Sequence, residues 1–471
     1  MVSTRRLAAW LSPALEVRPI GDGLAYTLRA LVLDGRVIPG ARVPAERELA
    51  AVLGVSRATV TEVYNRLRDE GYLSSRYGAG TVAALPAPHL SRPDEDSPPP
   101  GAVLDLTVAA LPAPAELPEI AAAAAVEDLP QHLGGPGLDP SGLFELRRRI
   151  ARGYTQRGLA TSPEQVLVTS GALHAWDLLL QVCGARGSTV ITEQPTYPAV
   201  VDAALAHRAR VVPLPVDQSG WDVAPLIRPA SPPALVHLTF DGQNPTGLWA
   251  DPDQRREVVE SFAEPTVVVI DETMLEFRHQ ALSVRLPRFG GSATVVHVGS
   301  MSKAFWPGLR VGWVRGPGTL IRRLAVNRGG QDLAPPVLDQ LIATRLLDAA
   351  PRMLPARRAM ATSRRDAVVA AIAELAPAWS LTPPAAGLAV WINLGHSSST
   401  ALARAALLGG IRVTPGPRFT VSGTHDGYLR LPLTLAPDLV PEVIGTLARL
   451  ADEVPAARTR QRTGPAHAWA V

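Results

Sequence analysis

Lys303 is the only lysine in the chain; the other 45 of its 46 basic residues are arginine. Arginine holds its proton too tightly to act as an amine nucleophile, whereas a lysine amine condenses with a carbonyl to give a Schiff base. In so arginine-rich a chain the one amine is either a plain surface residue or the carrier of chemistry that arginine cannot do. Its neighbours are VVHVGSMSKAFWPGLRVGW. An apolar run ends at Gly299, Ser300 and Ser302 supply hydroxyls, and Arg310 supplies a guanidinium. Hydroxyls with arginine hold a phosphate dianion, so the segment joins an imine-forming amine to a phosphate cup.

Further groups stand at the ends of other apolar runs. VLVTSGALHAWDLLL reads as strand, small-residue turn and helix. Ser170, Gly171 and Ala172 there would aim backbone N–H groups and a helix N-terminus at a phosphate. TVVVID sets Asp271 at the carboxyl end of a buried strand, where a carboxylate pairs with a protonated pyridine nitrogen and keeps the ring an electron sink. QNPTG puts Asn244 in a turn as a donor for a phenolic oxygen, and Tyr197 in QPTYP suits stacking on a ring face. Arg430 in YLRLPLTL is either a ligand clamp or a surface ion pair. Singly these have ordinary readings, since Asn-Pro-x-Gly is a turn and Ser-Gly-Ala a helix cap. Together, in chain order around the one lysine, they describe a pyridoxal 5'-phosphate (PLP) site with Lys303 as its catalytic amine. No metal site is expected.

The elements that must position these groups are legible as pattern. VLVT (166–169), STVIT (188–192), ALVHLTF (234–240), TVVVID (266–271) and TVVHVG (294–299) are apolar runs suited to strands buried on both faces. Helix-length segments lie between most of them. That alternation predicts an α/β domain over residues 104–454, a mostly parallel sheet with helices on both faces. Residues 84–103, with six prolines and an acidic cluster, read as a linker, and residues 455–471 as a disordered tail. With 471 residues and 46% apolar content the chain is long enough for two or three domains. It has no apolar run of membrane-spanning length, and its N-terminus lacks the pattern of a secretory signal. Cys183 is its only cysteine, which fits a reducing cytoplasm.

The formal charge of +3 is unevenly placed: residues 1–82 hold 11 arginines against 8 acidic residues, and the remainder is balanced. Residues 1–83 also carry a reading module. Glu46–Leu53 is a short helix, Gly54 a turn, and Ser56 the N-cap of a second helix. Val60, Val63, Tyr64 and Leu67 give that helix a buried face, and Gly71 ends it. Two helices joined by a Gly turn form a DNA-reading unit whose second helix enters the major groove, which makes Arg57, Thr59 and Arg66 candidate contacts. Residues 73–82 read as a β-wing with Arg76 and Tyr77 near its tip, within reach of phosphate.

The string PAERELAAVLGVSRATVTEVYNRLRDEGYLSSRYGAGTVA resembles the winged helix-turn-helix of the GntR family over residues 24–83, which implies DNA contacts from Arg47, Arg57 and the wing. By spacing alone Arg47 could equally pair with Glu46 or Glu48. Residues 103–454 resemble class I aminotransferases of fold type I, on DPSGLFELRRRIA, TSGA, PTYP, NPTG, the Asp271 strand, SMSK and the Arg310 element. The whole chain thus resembles the MocR subfamily of GntR regulators. The resemblance implies an internal aldimine on Lys303 and phosphate ligands Ser170, Gly171, Ala172, Ser300, Ser302 and Arg310. It implies ring contacts from Asp271, Asn244 and Tyr197, a smaller C-terminal subdomain, a head-to-tail homodimer, and Arg430 at the position that receives an effector carboxylate. Two positions depart from the family's habit: Thr273 replaces a Tyr that bonds the phenolic oxygen, and His174 stands where a Gln is common. If Thr273 does not help, Asn244 carries that bond alone. The expectation is a cytoplasmic regulator that binds an operator in duplex DNA and senses a carboxylate-bearing amino compound. The competing expectations are a working aminotransferase with an appended DNA-binding domain, and a DNA-binding protein whose aminotransferase fold is empty.

Overall fold

The spacing of Val60, Val63, Tyr64 and Leu67 does bury one helix face: none of the four is more than 4% exposed. In the computed structural model, which describes residues 3–16, 19–33, 37, 41–76, 80–84, 103–184, 186–224, 232–421 and 423–454, they belong to the first of two units, residues 1–97 and 98–471. That first unit holds α1 (Thr4–Leu11), α2 (Ile20–Leu33), α3 (Glu46–Leu53), α4 (Arg57–Asp69) and a hairpin, β1 (Leu73–Arg76) with β2 (Gly80–Ala83). Ser56 caps α4 by accepting the Thr59 N–H at 3.0 Å. Gly54 ends α3 at φ 68°, and Gly71 follows α4 at φ 79°, the left-handed region where a side chain would be unfavourable. The Tyr64 hydroxyl donates to the Pro44 carbonyl at 3.0 Å, so the ring is buried without losing its polar bond. Sequence patterning places nothing helical before residue 24. Here α1 adds Leu7, Ala8 and Leu11 to the same core as Leu24, Leu28 and Leu49. The hairpin is antiparallel, with Leu73 opposite Ala83. The Arg76 side chain and Tyr77 lie outside the described residues, as do almost all of the expected linker and the expected tail.

The second unit is built as β3 (Leu104–Asp105), α5 (Leu117–Ala123), α6 (Phe144–Gln156), β4 (Val166–Thr169), α7 (Ala172–Cys183), β5 (Thr189–Gln194), α8 (Pro198–Ala206), β6 (Arg210–Asp217), β7 (Gly220–Trp221), β8 (Leu235–Leu238), α9 (Pro252–Glu260), β9 (Val267–Asp271), β10 (Thr294–Ser300), α10 (Met301–Ala304), β11 (Gly312–Arg315) and α11 (Gly318–Asn327). There follow α12 (Val337–Leu375), β12 (Ser380–Leu381), β13 (Ala389–Asn393), α13 (Ser399–Leu408), β14 (Ile411–Arg412), β15 (Thr414–Pro415), β16 (Tyr428–Pro432) and α14 (Val440–Glu453). Eight strands form one sheet in the order β4-β11-β10-β9-β8-β5-β6-β7. All five apolar runs read from the sequence are in it. Along β9, Val267 and Val269 pack into one core and Val268 and Ile270 into another, so the strand is covered on both faces. The fold is therefore α/β and mostly parallel, with β11 running against β10 and β4.

Three strands of this sheet, β6, β7 and β11, escape sequence patterning. Pro213 and Pro215 argue against a strand, yet both lie in β6. They are tolerated because β6 is next to the sheet edge, where β7 pairs only with Val216 and Asp217. β11 is short and contains no long apolar run. A smaller antiparallel sheet, β12-β13-β16-β15, packs with α13, α14 and the second half of α12. The first half of α12, with Leu341, Ile342 and Leu346, belongs to a core of the large sheet. One 39-residue helix thus ties the subdomain to the sheet. Among the described residues no helix is long and apolar enough to cross a membrane.

Removing the Ser56 hydroxyl leaves an N-terminal donor of α4 without its acceptor. Ser56→Ala should therefore cost about 1 kcal/mol, read as faster native-state hydrogen exchange across α4 with exchange of the large sheet unchanged.

Candidate functional site

The parallel strands bring their carboxyl ends to one edge of the sheet, and the chemistry gathers there. Asp271 closes β9, Ser300 closes β10, Ser170 follows β4, Tyr197 follows β5, and Asn244 follows β8. Lys303 sits on the four-residue α10 that continues β10. Its Nζ donates to the Ala109 carbonyl at 2.7 Å. Burial, with the nearby Arg430 cation, lowers the amine to about 8, against the pull of Asp271. Asp271 is pushed up to about 6, chiefly by burial, although Thr273 hydrogen bonding opposes the shift. The Thr273 backbone N–H meets Asp271 Oδ1 at 2.8 Å. Thr273 is thus engaged with the carboxylate through its backbone. One end of the Asn244 amide, Oδ1, is buried without a hydrogen-bond partner among the described residues; a half-turn of the amide exchanges acceptor for donor.

The phosphate candidates converge around one turn. Gly171 has φ 89°, and a Cβ there would come 3.0 Å from Arg310 Nη2. Gly312 permits the same closeness from the other side, since a Cβ would lie 2.6 Å from the Gly171 carbonyl carbon. Arg310 Nη2 donates to the Ser170 carbonyl at 3.1 Å. Ala172 opens α7, whose first N–H groups have no partner inside the helix. Ser300 Oγ accepts the Ser302 N–H at 3.1 Å and caps α10. The Ser170 groups are otherwise engaged: its N–H donates to His174 Nδ1 at 3.1 Å, and its hydroxyl to Asp332 at 3.3 Å. His174 therefore caps the β4–α7 turn, a role its position alone does not reveal.

Arg430 lies on β16, buried, with its guanidinium 5.3 Å from the Phe419 ring centre. It donates through Nη2 to the Thr107 carbonyl, and its Nε has no partner among the described residues. Burial lowers it to about 10. Tyr197 is 41% exposed and sits close enough to Arg430 to influence that charge.

Several positioning residues were invisible as motifs. His237 on β8 has Nε2 3.6 Å from Asp271 Oδ2, and burial lowers it to about 4, so it stays neutral. Its ring packs edge-on against Trp176. Glu193, pushed up to about 7 by burial, accepts the Thr239 N–H and the Trp221 indole. It also accepts from Gln243, beside Asn244, and Gln243 in turn holds the Pro195 carbonyl. One carboxyl thus fastens the loops of Tyr197 and Asn244. Beside Asp271, Glu272 is buried at an energetic cost, yet Arg157 and His297 hold its carboxyl well below the usual range. Tyr154 adds a bond at 2.8 Å. Each such carboxylate lies one residue from a motif, or on another strand, so no local spacing announces it.

In the first unit, Arg57 opens α4 and is exposed. Thr59 Oγ1 lies 2.8 Å from the Ser56 hydroxyl. Arg47 is exposed on α3; Glu46 is taken by Thr61 and Arg68, and Glu48 accepts from Thr4. Arg66, also expected among the DNA contacts, is exposed and pairs with Asp22 at 2.6 Å and Glu70 at 3.2 Å.

Residues 103–447 match the family model of class I and II aminotransferases, and residues 21–82 that of bacterial regulatory proteins of the gntR family. The chain is 30% identical over 350 residues to the probable rhizopine catabolism regulatory protein MocR of Rhizobium meliloti, covering 66% of this chain and 69% of that one. The chain belongs to the MocR subfamily of GntR regulators. Another relative of this MocR-type chain is the pyridoxine biosynthesis transcriptional regulator PdxR of Corynebacterium glutamicum, 31% identical over 67% of this chain and 70% of that one. A solved structure with the same fold is the alpha-aminoadipate aminotransferase LysN of Thermus thermophilus, complexed with N-(5'-phosphopyridoxyl)-L-leucine. It superposes with a TM-score of 0.68 at 27% identity, covering 75% of this chain and 93% of that one. Membership of a family of PLP enzymes implies that cofactor, and the donor set of this MocR-type site suits it. The site offers an amine, a buried acid for a ring cation, a free amide end, and a guanidinium over a glycine turn.

The Asp271 carboxyl is raised, so its ionised form opposes folding above the unfolded-state value near 4, fully so above about 6. Asp271→Asn should stabilise the cofactor-free protein at pH 7 by on the order of 2 kcal/mol, a gain that shrinks as pH falls from about 6 towards 4. The same substitution should weaken PLP retention. Urea denaturation at a series of pH values, beside a PLP titration, checks both signs.

Proposed function

We propose that this protein is a PLP-dependent transcription regulator that holds its cofactor on Lys303 and senses a carboxylate-bearing amino compound through it. The observation that carries the reading is the placement of the chain's one lysine: half-buried, lowered to about 8, and set between Asp271 and Arg430. An amine lowered that far keeps a useful unprotonated fraction near neutral pH, which nucleophilic attack on an aldehyde needs. Asp271 would supply the negative charge opposite a ring N–H, and Asn244 a donor to the phenolic oxygen. Tyr197 would cover a ring face. Gly171, Ala172, Ser300, Ser302, Arg310 and Ser170 would hold the phosphate, with Ser170 first giving up its bond to Asp332. PLP, when bound, supplies an electrophilic carbon and an electron-withdrawing ring. Arg430 would take the effector's carboxylate through its planar fork.

Membership of the GntR family implies that residues 21–82 bind DNA. We assign base reading to Arg57 at the start of α4, with Thr59 and Arg47 beside it and Arg76 on phosphate. The working form is a homodimer on a duplex operator in the cytoplasm. For the effector to change transcription it must bind two arrangements of that dimer with different affinity, because tight binding alone shifts nothing. The second reading, a working aminotransferase, is favoured by the full set of cofactor residues and by relatives such as the 2-aminoadipate transaminase of Thermus thermophilus, 29% identical over 334 residues. Against it stands the Tyr position occupied by Thr273, which is engaged with Asp271.

The purified protein should be yellow, and borohydride should fix the cofactor to the peptide bearing Lys303. An amino acid that perturbs its spectrum should also change operator affinity. Lys303→Ala should abolish that response and leave basal DNA binding in place, and Arg430→Ala should weaken it only for carboxylate-bearing compounds. Rapid multiple turnover with an amino acid and a keto acid, at unchanged operator affinity, would favour the enzyme reading instead. In a randomised duplex pool, Arg57→Ala should lose preference at one base pair at a cost of about 1–3 kcal/mol; unchanged preference refutes the readout.

A further inference from the structure

The helix that carries Lys303 is only four residues long. So short a helix has almost no internal hydrogen bonding and does not hold its shape alone. Its far end is held by Arg357, on α12. Arg357 Nε donates to the Ala304 carbonyl at 2.7 Å, and Nη2 to the Phe305 carbonyl at 2.9 Å. These are carbonyls that a helix end leaves without intrahelical partners. Nη1 donates to the Pro112 carbonyl at 3.0 Å. Pro112 lies three residues beyond Ala109, whose carbonyl accepts Lys303 Nζ. One guanidinium therefore grips the turn that carries the amine and the segment bonded to it.

The chemistry of the grip is unusual for a buried arginine. Arg357 is 6% exposed, and among the described residues its hydrogen bonds go to backbone oxygen and none to a carboxylate. A guanidinium used this way fixes geometry through its rigid fork rather than compensating a buried charge. Met353, Leu354 and Ala361 are buried on either side of Arg357 along α12 and pack this stretch of the helix against its neighbours.

We propose that Arg357 is a positioning residue for the Lys303 amine: it fixes the turn bearing Lys303 and the segment bonded to it, and so sets the amine's reach and its shielding from water. The functional weight of this rests on the PLP reading, but the geometry can be tested without PLP.

Lys303 is the only side-chain amine, so amine-selective acetylation followed by peptide mass spectrometry reads it alone, with the N-terminal amine on a separate peptide. In the full-length protein freed of cofactor, the wild-type rate should rise with pH around a midpoint near the lowered value of about 8. In Arg357→Met the loosened turn admits water, and the midpoint should move up by about one pH unit towards ordinary lysine. The fraction of PLP fixed by borohydride should fall several-fold, while operator binding without effector stays unchanged. A role confined to stability would lower the melting temperature and leave the midpoint where it was. If Arg357→Met does not fold, Arg357→Gln decides: one neutral amide cannot span three carbonyls, so the midpoint should still rise. A folded variant with the wild-type midpoint and wild-type PLP retention overturns the proposal. A shifted midpoint in a protein whose wild type fixes no PLP overturns the cofactor reading and leaves the positioning role standing.

Discussion

The constraint on which the second unit depends is the burial of opposite charges at the open end of a parallel sheet. Lys303 and Asp271 are each largely withdrawn from water, and that desolvation pushes each towards its neutral form. Arg430, also buried, adds a second cation. A set of this kind is costly unless the geometry is fixed and the remaining polar groups are satisfied. The surrounding fold fixes the geometry and satisfies most of these groups, while Arg430 Nε and Asn244 Oδ1 have no partner among the described residues. The Ala109 and Thr107 carbonyls accept from the two cations, and Thr273 donates to the acid. The resulting amine is far less basic than an exposed lysine, and the fold itself makes it so.

A layer of buried carboxylates holds that arrangement from behind. Glu193 binds the β5 and β8 loops together, which places Tyr197 and Asn244 relative to each other. Glu272, next to Asp271, is locked by Arg157, Tyr154 and His297 from other elements. Removing one partner from such a cluster would leave a buried charge uncompensated, so these residues are constrained as tightly as the site they support. The glycines at 171 and 312 belong to the same logic, because they let Arg310 and β11 press against the phosphate turn. The first unit works by a different economy. Its core is apolar, Arg47, Arg57 and Arg66 are exposed, and Arg66 pairs with Asp22 and Glu70.

Much of this was determined by the sequence alone. The helix faces of α3 and α4, the cap at Ser56 and the turns at Gly54 and Gly71 follow from periods and residue types within a few positions. The five central strands are apolar runs bounded by turn signals. The groups around Lys303 are equally local, because each ends a strand and a parallel sheet delivers strand ends to one edge. The single lysine among 46 basic residues marked the centre before any contact was known.

What only the tertiary structure decided is pairing across long separations. β6 was hidden by prolines that only a place near the sheet edge makes acceptable. α1 was hidden because its partners are in α2 and α3. Glu193, His237, Glu272 and Arg357 carry no spacing signal, since their partners come from distant segments: Arg357 reaches Pro112 across 245 residues. Arg57 opens α4 and Arg66 lies in its last turn, and the pairing of Arg66 with Asp22 comes only from the approach of α2. Periodicity reports which face of an element is buried. Which charge meets which is settled only when the elements pack, because a buried polar group must find its partner wherever the fold brings one.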